Sequence, residues 1–167
     1  LKSSGKSLHK RGYRDSSHPA PLKETVAATI LKMAGYDGTQ PLWDPMCGSG
    51  TLAIEASYMA LKKACLIHRK KENFSLELFK DFDKQLWRQC HDDLKAQKKE
   101  TLPAPIYASD INETYVKDAQ KNSLRARVEK HISFSKESIL TTKKKEESGI
   151  MISNLPYGKR IGDDEGL

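Results

Sequence analysis

Asp44, Asp110 and Asn154 each stand where a short apolar run meets a turn, and each carries a side chain that could act on a ligand. Asn154 opens the tetrapeptide Asn154-Leu155-Pro156-Tyr157. Its carboxamide oxygen and the backbone carbonyl of Leu155 can both accept from an exocyclic NH2 group. Pro156 has no N–H and holds the backbone turned. The ring of Tyr157 can stack on a planar base. The tetrapeptide can also be a polar turn with a surface tyrosine. Asp44 leads the run Asp44-Pro45-Met46-Cys47-Gly48-Ser49-Gly50-Thr51. Gly48 and Gly50 can adopt positive φ and bring backbone N–H groups close to a ligand. The helix that follows begins with unpaired N–H donors. A nucleotide-like ligand and an ordinary β-α turn both fit this run. Asp110 can accept two hydrogen bonds from a ribose diol. It can also cap a helix starting near Ile111.

Alternating strands and helices must position these residues. The apolar run Pro41-Leu42-Trp43 predicts a first strand, Ile106-Tyr107-Ala108 a second, His131 to Phe134 a third and Ile150 to Ser153 a fourth. Helical spacing marks Lys23 to Ala34, Leu52 to Lys63 and Ile111 to Arg127. Between the first two strands, Phe74, Leu76, Leu78, Phe79, Phe82, Leu86, Trp87 and Leu94 recur among charges and predict one or two amphipathic helices. This pattern predicts an α/β fold with an open, mostly parallel central sheet and a helical insertion between strands 1 and 2. In such sheets ligands sit beyond the carboxyl ends of the strands. Three predicted tips carrying Asp44, Asp110 and Asn154 point to one shared site. There is no complete GxGxxG, and Asp110 lies far beyond the usual acid spacing of about 20 residues, which weakens a dinucleotide reading.

With 167 residues the chain can hold one domain with a real core. Apolar residues make up 37%, and no apolar run approaches the roughly 20 residues of a membrane span. No apolar secretory segment follows the basic amino terminus. The three cysteines form no CxxC pair, which argues against a disulfide scaffold and for a reducing cytoplasm. No zinc or calcium pattern is present. Cys47 has no neighbouring base and reads as a packing residue; His18 reads as a turn or packing residue. The net charge of +7 favours a polyanionic partner, most often nucleic acid. The short runs Arg69-Lys70-Lys71 and Lys143-Lys144-Lys145 fit solvated surface equally well. Residues 1–17 read as a basic linker leading in from something upstream.

The Asp44 to Thr51 run together with Asn154-Leu155-Pro156-Tyr157-Gly158 resembles the S-adenosylmethionine-dependent methyltransferases that modify exocyclic amines. Leu8-His9-Lys10-Arg11-Gly12-Tyr13-Arg14 and Ala20-Pro21-Leu22-Lys23-Glu24 look like the segment joining a THUMP RNA-binding domain to its methyltransferase domain. The insertion near Ile67-His68-Arg69 is similar to that of the branch acting on guanine N2 of bacterial 23S rRNA. The resemblance implies a Rossmann-like methyltransferase domain over 18–167, with the family's last strands not visible before Leu167. It implies S-adenosylmethionine held at Leu22, Asp44, Met46, Cys47, Gly48, Ser49 and Gly50, with Asp110 on its ribose and Ile111 against its adenine. Asn154, Leu155, Pro156 and Tyr157 would hold the target base. Relatives usually carry Pro where Leu155 stands. They also carry an Asp for the adenine amine where Glu137 and Ser138 compete for the part. The implied partner is RNA, 23S rRNA above all, with no membrane; nothing indicates an oligomeric state. A tRNA guanine-N2 enzyme, a DNA adenine or protein glutamine methyltransferase, and a non-catalytic RNA-binding module are the alternatives.

Overall fold

The computed structural model describes residues 5, 7–14, 22–66 and 74–155. Pro156 and Tyr157, His18, and the start of the insertion at 67–73 lie outside the described residues.

Among the described residues, four parallel strands form the sheet: β1 (Leu42–Asp44), β2 (Ile106–Asp110), β3 (Ile132–Lys136) and β4 (Ile150–Met151). Their order is β3-β2-β1-β4. The chain therefore steps outward from β1 to β3 and then returns to the other side of β1. That reversal makes the end of β1 a switch point, where an open α/β sheet has its ligand crevice.

Register sorts the two faces. Leu42, Ile106 and Ile132 stand side by side on one face, and all are buried. Helices α2 (Thr51–Ala60) and α4 (Glu113–Arg125) cover that face, and α1 (Glu24–Met33) packs on α2. Trp43, Tyr107 and Met151 line up on the opposite face, where no helix of the described residues packs but Tyr107 donates to Glu146 of the loop before β4 at 2.6 Å. Helix α2 is apolar nearly all round, as its sequence predicts, and every residue in it except Met59 is buried. In α1 only part of the predicted apolar set turns inward: Ala27 and Leu31 are buried, Val26 and Met33 exposed.

Several predicted boundaries shift. The fourth strand stops at Met151 rather than Ser153. The third begins at Ile132, because Glu129–His131 forms a 3-10 turn, and runs on to Lys136. The helix expected from Ile111 starts at Glu113, and its N-cap is Asn112, whose side chain accepts from the Thr114 amide at 2.9 Å. Asp110 does not cap it: the residue is the last of β2, already drawn into the sheet. Among the described residues of the insertion, a 3-10 turn (Ser75–Leu78) precedes a single α-helix, α3 (Lys84–Ala96). No residue of α3 is buried, and Leu86 and Leu94 face outward. Two local devices hold it instead. Asp83 caps its first turn by accepting from the amides of Gln85 and Leu86, and Trp87 gathers the rings of Phe74, Phe82 and His91.

Part of the stretch expected to be linker packs onto the domain. Tyr13 is buried, and its hydroxyl donates to Glu55 of α2 at 3.2 Å. Arg11 reaches the same carboxylate at 3.4 Å. Burial holds the Glu55 carboxyl above its usual range, with Arg11 and Tyr13 pulling the other way. No helix among the described residues is long and apolar enough to cross a membrane.

Candidate active site

The turn after β1 is clamped from three directions. The Cys47 amide donates to the Ser109 carbonyl of β2 at 2.9 Å. The Gly48 amide donates to Asp110 Oδ2 at 3.0 Å. The Ser49 carbonyl accepts from the Asn122 carboxamide of α4 at 3.0 Å. The two glycines serve this clamp differently. Both have positive φ, 51° at Gly48 and 80° at Gly50. A Cβ at Gly50 would lie 2.8 Å from the Ala119 Cβ, so Gly50 lets the turn close against α4. A Cβ at Gly48 would meet nothing within 4 Å. The turn is therefore packed behind and open at Gly48, a cradle that a ligand can enter closely.

Asp44 is 1% exposed at the tip of β1. Its Oδ1 accepts from the Ser153 hydroxyl at 2.8 Å and from the Met46 amide at 3.4 Å. Burial pushes its carboxyl up to about 7 against those hydrogen bonds, and the nearby Asp110 charge adds to the rise. A buried carboxyl with so little cationic compensation suits a ligand that brings its own positive charge. Asp110, buried at the tip of β2, accepts from Gly48 through Oδ2 and from the Asn112 amide through Oδ1 at 2.9 Å. Each of its oxygens has a second lone pair for a diol. Ile111 beside it is 67% exposed, an apolar plate at the rim.

The thiol of Cys47 is buried and pushed well up by burial, with Asp44 and Asp110 adding to the effect. It stays a thiol, which fits a packing residue whose backbone belongs to the turn. Leu22 is partly buried against the core, and its carbonyl accepts from Arg14 at 2.7 Å. The same guanidinium nitrogen donates to the Thr51 hydroxyl at 2.6 Å, which strings the Leu22 segment to the first turn of α2.

Glu137 continues β3, its amide donating to the Asp110 carbonyl at 3.1 Å. Its carboxylate is already engaged by Lys145 at 2.7 Å and by the Thr142 hydroxyl. Those hydrogen bonds hold it down at about 2. The Ser138 hydroxyl accepts from the Leu140 amide at 3.3 Å. Asn154 and Leu155 are exposed just beyond β4, next to the Ser153 that touches Asp44. The ends of β1 and β2 and the segment after β4 thus stand side by side. Three contributors escaped the sequence reading: Ser153, Arg14 and Asn122. A signal existed for Asn122, a buried polar residue on the same side of α4 as Val116 and Ala119. Arg14 lies inside a motif quoted for its resemblance alone.

A parallel switch-point sheet with a glycine cradle between two buried acids defines the S-adenosylmethionine-dependent methyltransferases of Rossmann-like fold. The protein SMU.472, solved in complex with S-adenosylhomocysteine, superposes with a TM-score of 0.84 at 31% identity, over 97% of this chain and 41% of that one. The chain belongs to the family described as RMKL-like, methyltransferase domain, which matches residues 11–167. The Ribosomal RNA large subunit methyltransferase K/L of Vibrio campbellii is 42% identical over 98% of this chain, and the match spans 24% of that protein. A Listeria monocytogenes structure described as a predicted N6-adenine-specific DNA methylase superposes with a TM-score of 0.81 at 31% identity, over 95% of this chain and 41% of that one. The chain thus spans about a quarter of the length of the curated relative and under half of the solved ones.

Proposed function

We propose that the chain is the methyl-transferring domain of an enzyme that methylates the exocyclic N2 amine of a guanine in 23S rRNA. The observation that carries this reading is the position of Asn154, exposed directly after the Ser153 bonded to Asp44. A base amine held by Asn154 and the Leu155 carbonyl would sit beside a cofactor held at the Gly48 turn. When bound, S-adenosylmethionine supplies an already activated methyl group on a sulfonium, so the transfer needs no covalent enzyme intermediate. Asp44 and the turn orient the amino-acid end, Asp110 takes the ribose hydroxyls, and Ile111 lies against the adenine. Glu137 or Ser138 offers an acceptor to the adenine amine.

The guanine N2 lone pair is delocalised into its ring. Acceptors at Asn154 and Leu155 draw the two N–H groups, favour a more pyramidal nitrogen and stabilise the positive charge that develops on it. With a methyl group supplied by the bound cofactor, which would leave as the neutral thioether, N2 would become cationic beside Asn154 and Leu155 and would lose one of its protons to solvent. Tyr157 would stack on the base, and Pro156 would keep the slot turned. Holding both reactants in line supplies much of the remaining acceleration. The target must be unpaired or flipped to reach the slot.

The ribosomal reading rests on the Vibrio campbellii relative's name and on the net charge of +7. DNA adenine methylation is the second reading, favoured by the description of the Listeria structure. Tritium transfer from labelled S-adenosylmethionine to rRNA, tRNA, DNA and protein separates them. We expect label in 23S rRNA, on guanine N2 after nuclease digestion. Label in DNA or protein alone overturns the proposal. Asn154→Ala should lower turnover by about 10²–10³-fold with cofactor affinity nearly intact.

A further inference from the structure

The hydrogen bond from the Ser153 hydroxyl to Asp44 Oδ1 joins residues 109 apart in the chain. It also joins two functions, since Asp44 belongs to the cofactor cradle and Ser153 immediately precedes Asn154. We infer that Ser153 is a positioning residue that makes cofactor binding and base binding cooperative. This inference rests on the assignment of Asn154 and Leu155 as the base slot.

The physical basis is a hydroxyl with two competing acceptors. Ser153 Oγ lies 2.8 Å from Asp44 Oδ1 and 3.4 Å from the Met46 carbonyl. An ionised Asp44 can only accept, so the hydroxyl must donate to it. A protonated Asp44 can itself donate to the hydroxyl, which then turns its own proton to the Met46 carbonyl. Burial sets the Asp44 carboxyl near 7, so both arrangements are populated in the ligand-free protein at neutral pH. A cofactor bringing positive charge beside Asp44 favours the ionised form and selects the first arrangement. The bond to an ionised carboxylate is the shorter and stronger of the two, so it holds the chain after β4 more firmly against the tip of β1. The backbone ladder ends close by: the Ile152 amide donates to the Trp43 carbonyl at 3.0 Å, the last backbone link between these segments among the described residues. Beyond it, Ser153 is the tie that sets where Asn154 and Leu155 stand. Base binding gains from that order, and by linkage the cofactor gains equally when the base is in place.

The test is the ratio of 23S rRNA dissociation constants without and with saturating S-adenosylhomocysteine, measured on the unmodified transcript. We expect the wild-type protein to bind the RNA about fivefold or more tighter with the nucleoside present. Ser153→Ala should bring the ratio to about one, while Ser153→Thr, which keeps a hydroxyl, retains it. Thr and Val at this position match in shape and differ in the hydroxyl, so that pair decides the matter if Ser153→Ala does not fold. A wild-type ratio of one overturns the inference, and so does a Ser153→Val protein with the wild-type ratio. Failure of the slot assignment has a different signature: Asn154→Ala would then methylate normally whatever the ratio.

Discussion

The Gly48 amide donates to Asp110 Oδ2 at 3.0 Å, tying the open end of the turn after β1 to the tip of β2. On the proposed reading, one carboxylate shapes the cradle for one end of the cofactor while offering lone pairs to the other end. Asp110→Ala removes both. Hydrogen bonds to a charged group contribute about 1.5–3 kcal/mol, so S-adenosylhomocysteine should bind roughly tenfold to a hundredfold more weakly. Titration calorimetry reads this directly, and Asp110→Asn should fall between the two.

The glycines of the turn should separate folding from binding. Gly50→Ala forces a Cβ to 2.8 Å from the Ala119 Cβ at a φ of 80°. Overpacking of that kind costs about 1–3 kcal/mol, beyond the roughly 1–2 kcal/mol of left-handed strain. Gly48→Ala carries only the strain, because its Cβ meets nothing within 4 Å. Urea unfolding should show the larger loss for Gly50→Ala. Calorimetry should show the larger fractional loss of cofactor affinity per unit of stability for Gly48→Ala.

Cofactor affinity should depend on pH through Asp44. Its carboxyl is raised to about 7 by burial, with Asp110 adding, so the folded protein keeps this proton while an unfolded chain has lost it. The stability this group confers is full at low pH and is lost as pH rises from about 4 to 7. A cationic ligand end needs the ionised form, so binding runs the opposite way. The dissociation constant for S-adenosylhomocysteine should be about tenfold larger at pH 6 than at pH 8. A flat profile in Asp44→Asn would identify the group.

Arg14 bridges the Leu22 carbonyl and the Thr51 hydroxyl through one nitrogen. Arg14→Met unties the segment before α1 from the first turn of α2. It should lower unfolding stability by about 1–2 kcal/mol and weaken cofactor binding in parallel. Substitution of Leu86 by Ser, on the outward face of α3, should leave both unchanged to within about 0.5 kcal/mol.

Strand positions, the acids that end them and the glycine turn were legible in the chain because each rests on local rules. A short apolar run ending in an acid, Gly-x-Gly ahead of an apolar helix, and regular β-α alternation each leave a mark within a dozen residues. The same rules misplaced what depends on partners far away. The periodic apolar face of α3 predicts a buried stripe, yet among the described residues only Trp87 finds ring partners, in Phe74 and Phe82, while Leu86 and Leu94 stay exposed. Asp110 and Asn112 can both cap a helix, and the cap fell to Asn112 because β2 extends through Asp110 and the Gly48 amide holds its side chain.

The sequence by itself determined an α/β sheet with Asp44 and Asp110 ending neighbouring strands, while the methyltransferase reading rested on the resemblance of the Asp44–Thr51 and Asn154–Gly158 runs. Periodicity and turn chemistry act over a few residues and need no knowledge of the rest. Tertiary structure alone decided that Tyr13 and Arg11 close on Glu55, that Asn122 braces the turn, and that Ser153 meets Asp44. Hydrogen bonds across 42 to 109 residues follow from how the helices and strands stack, and no local spacing encodes them.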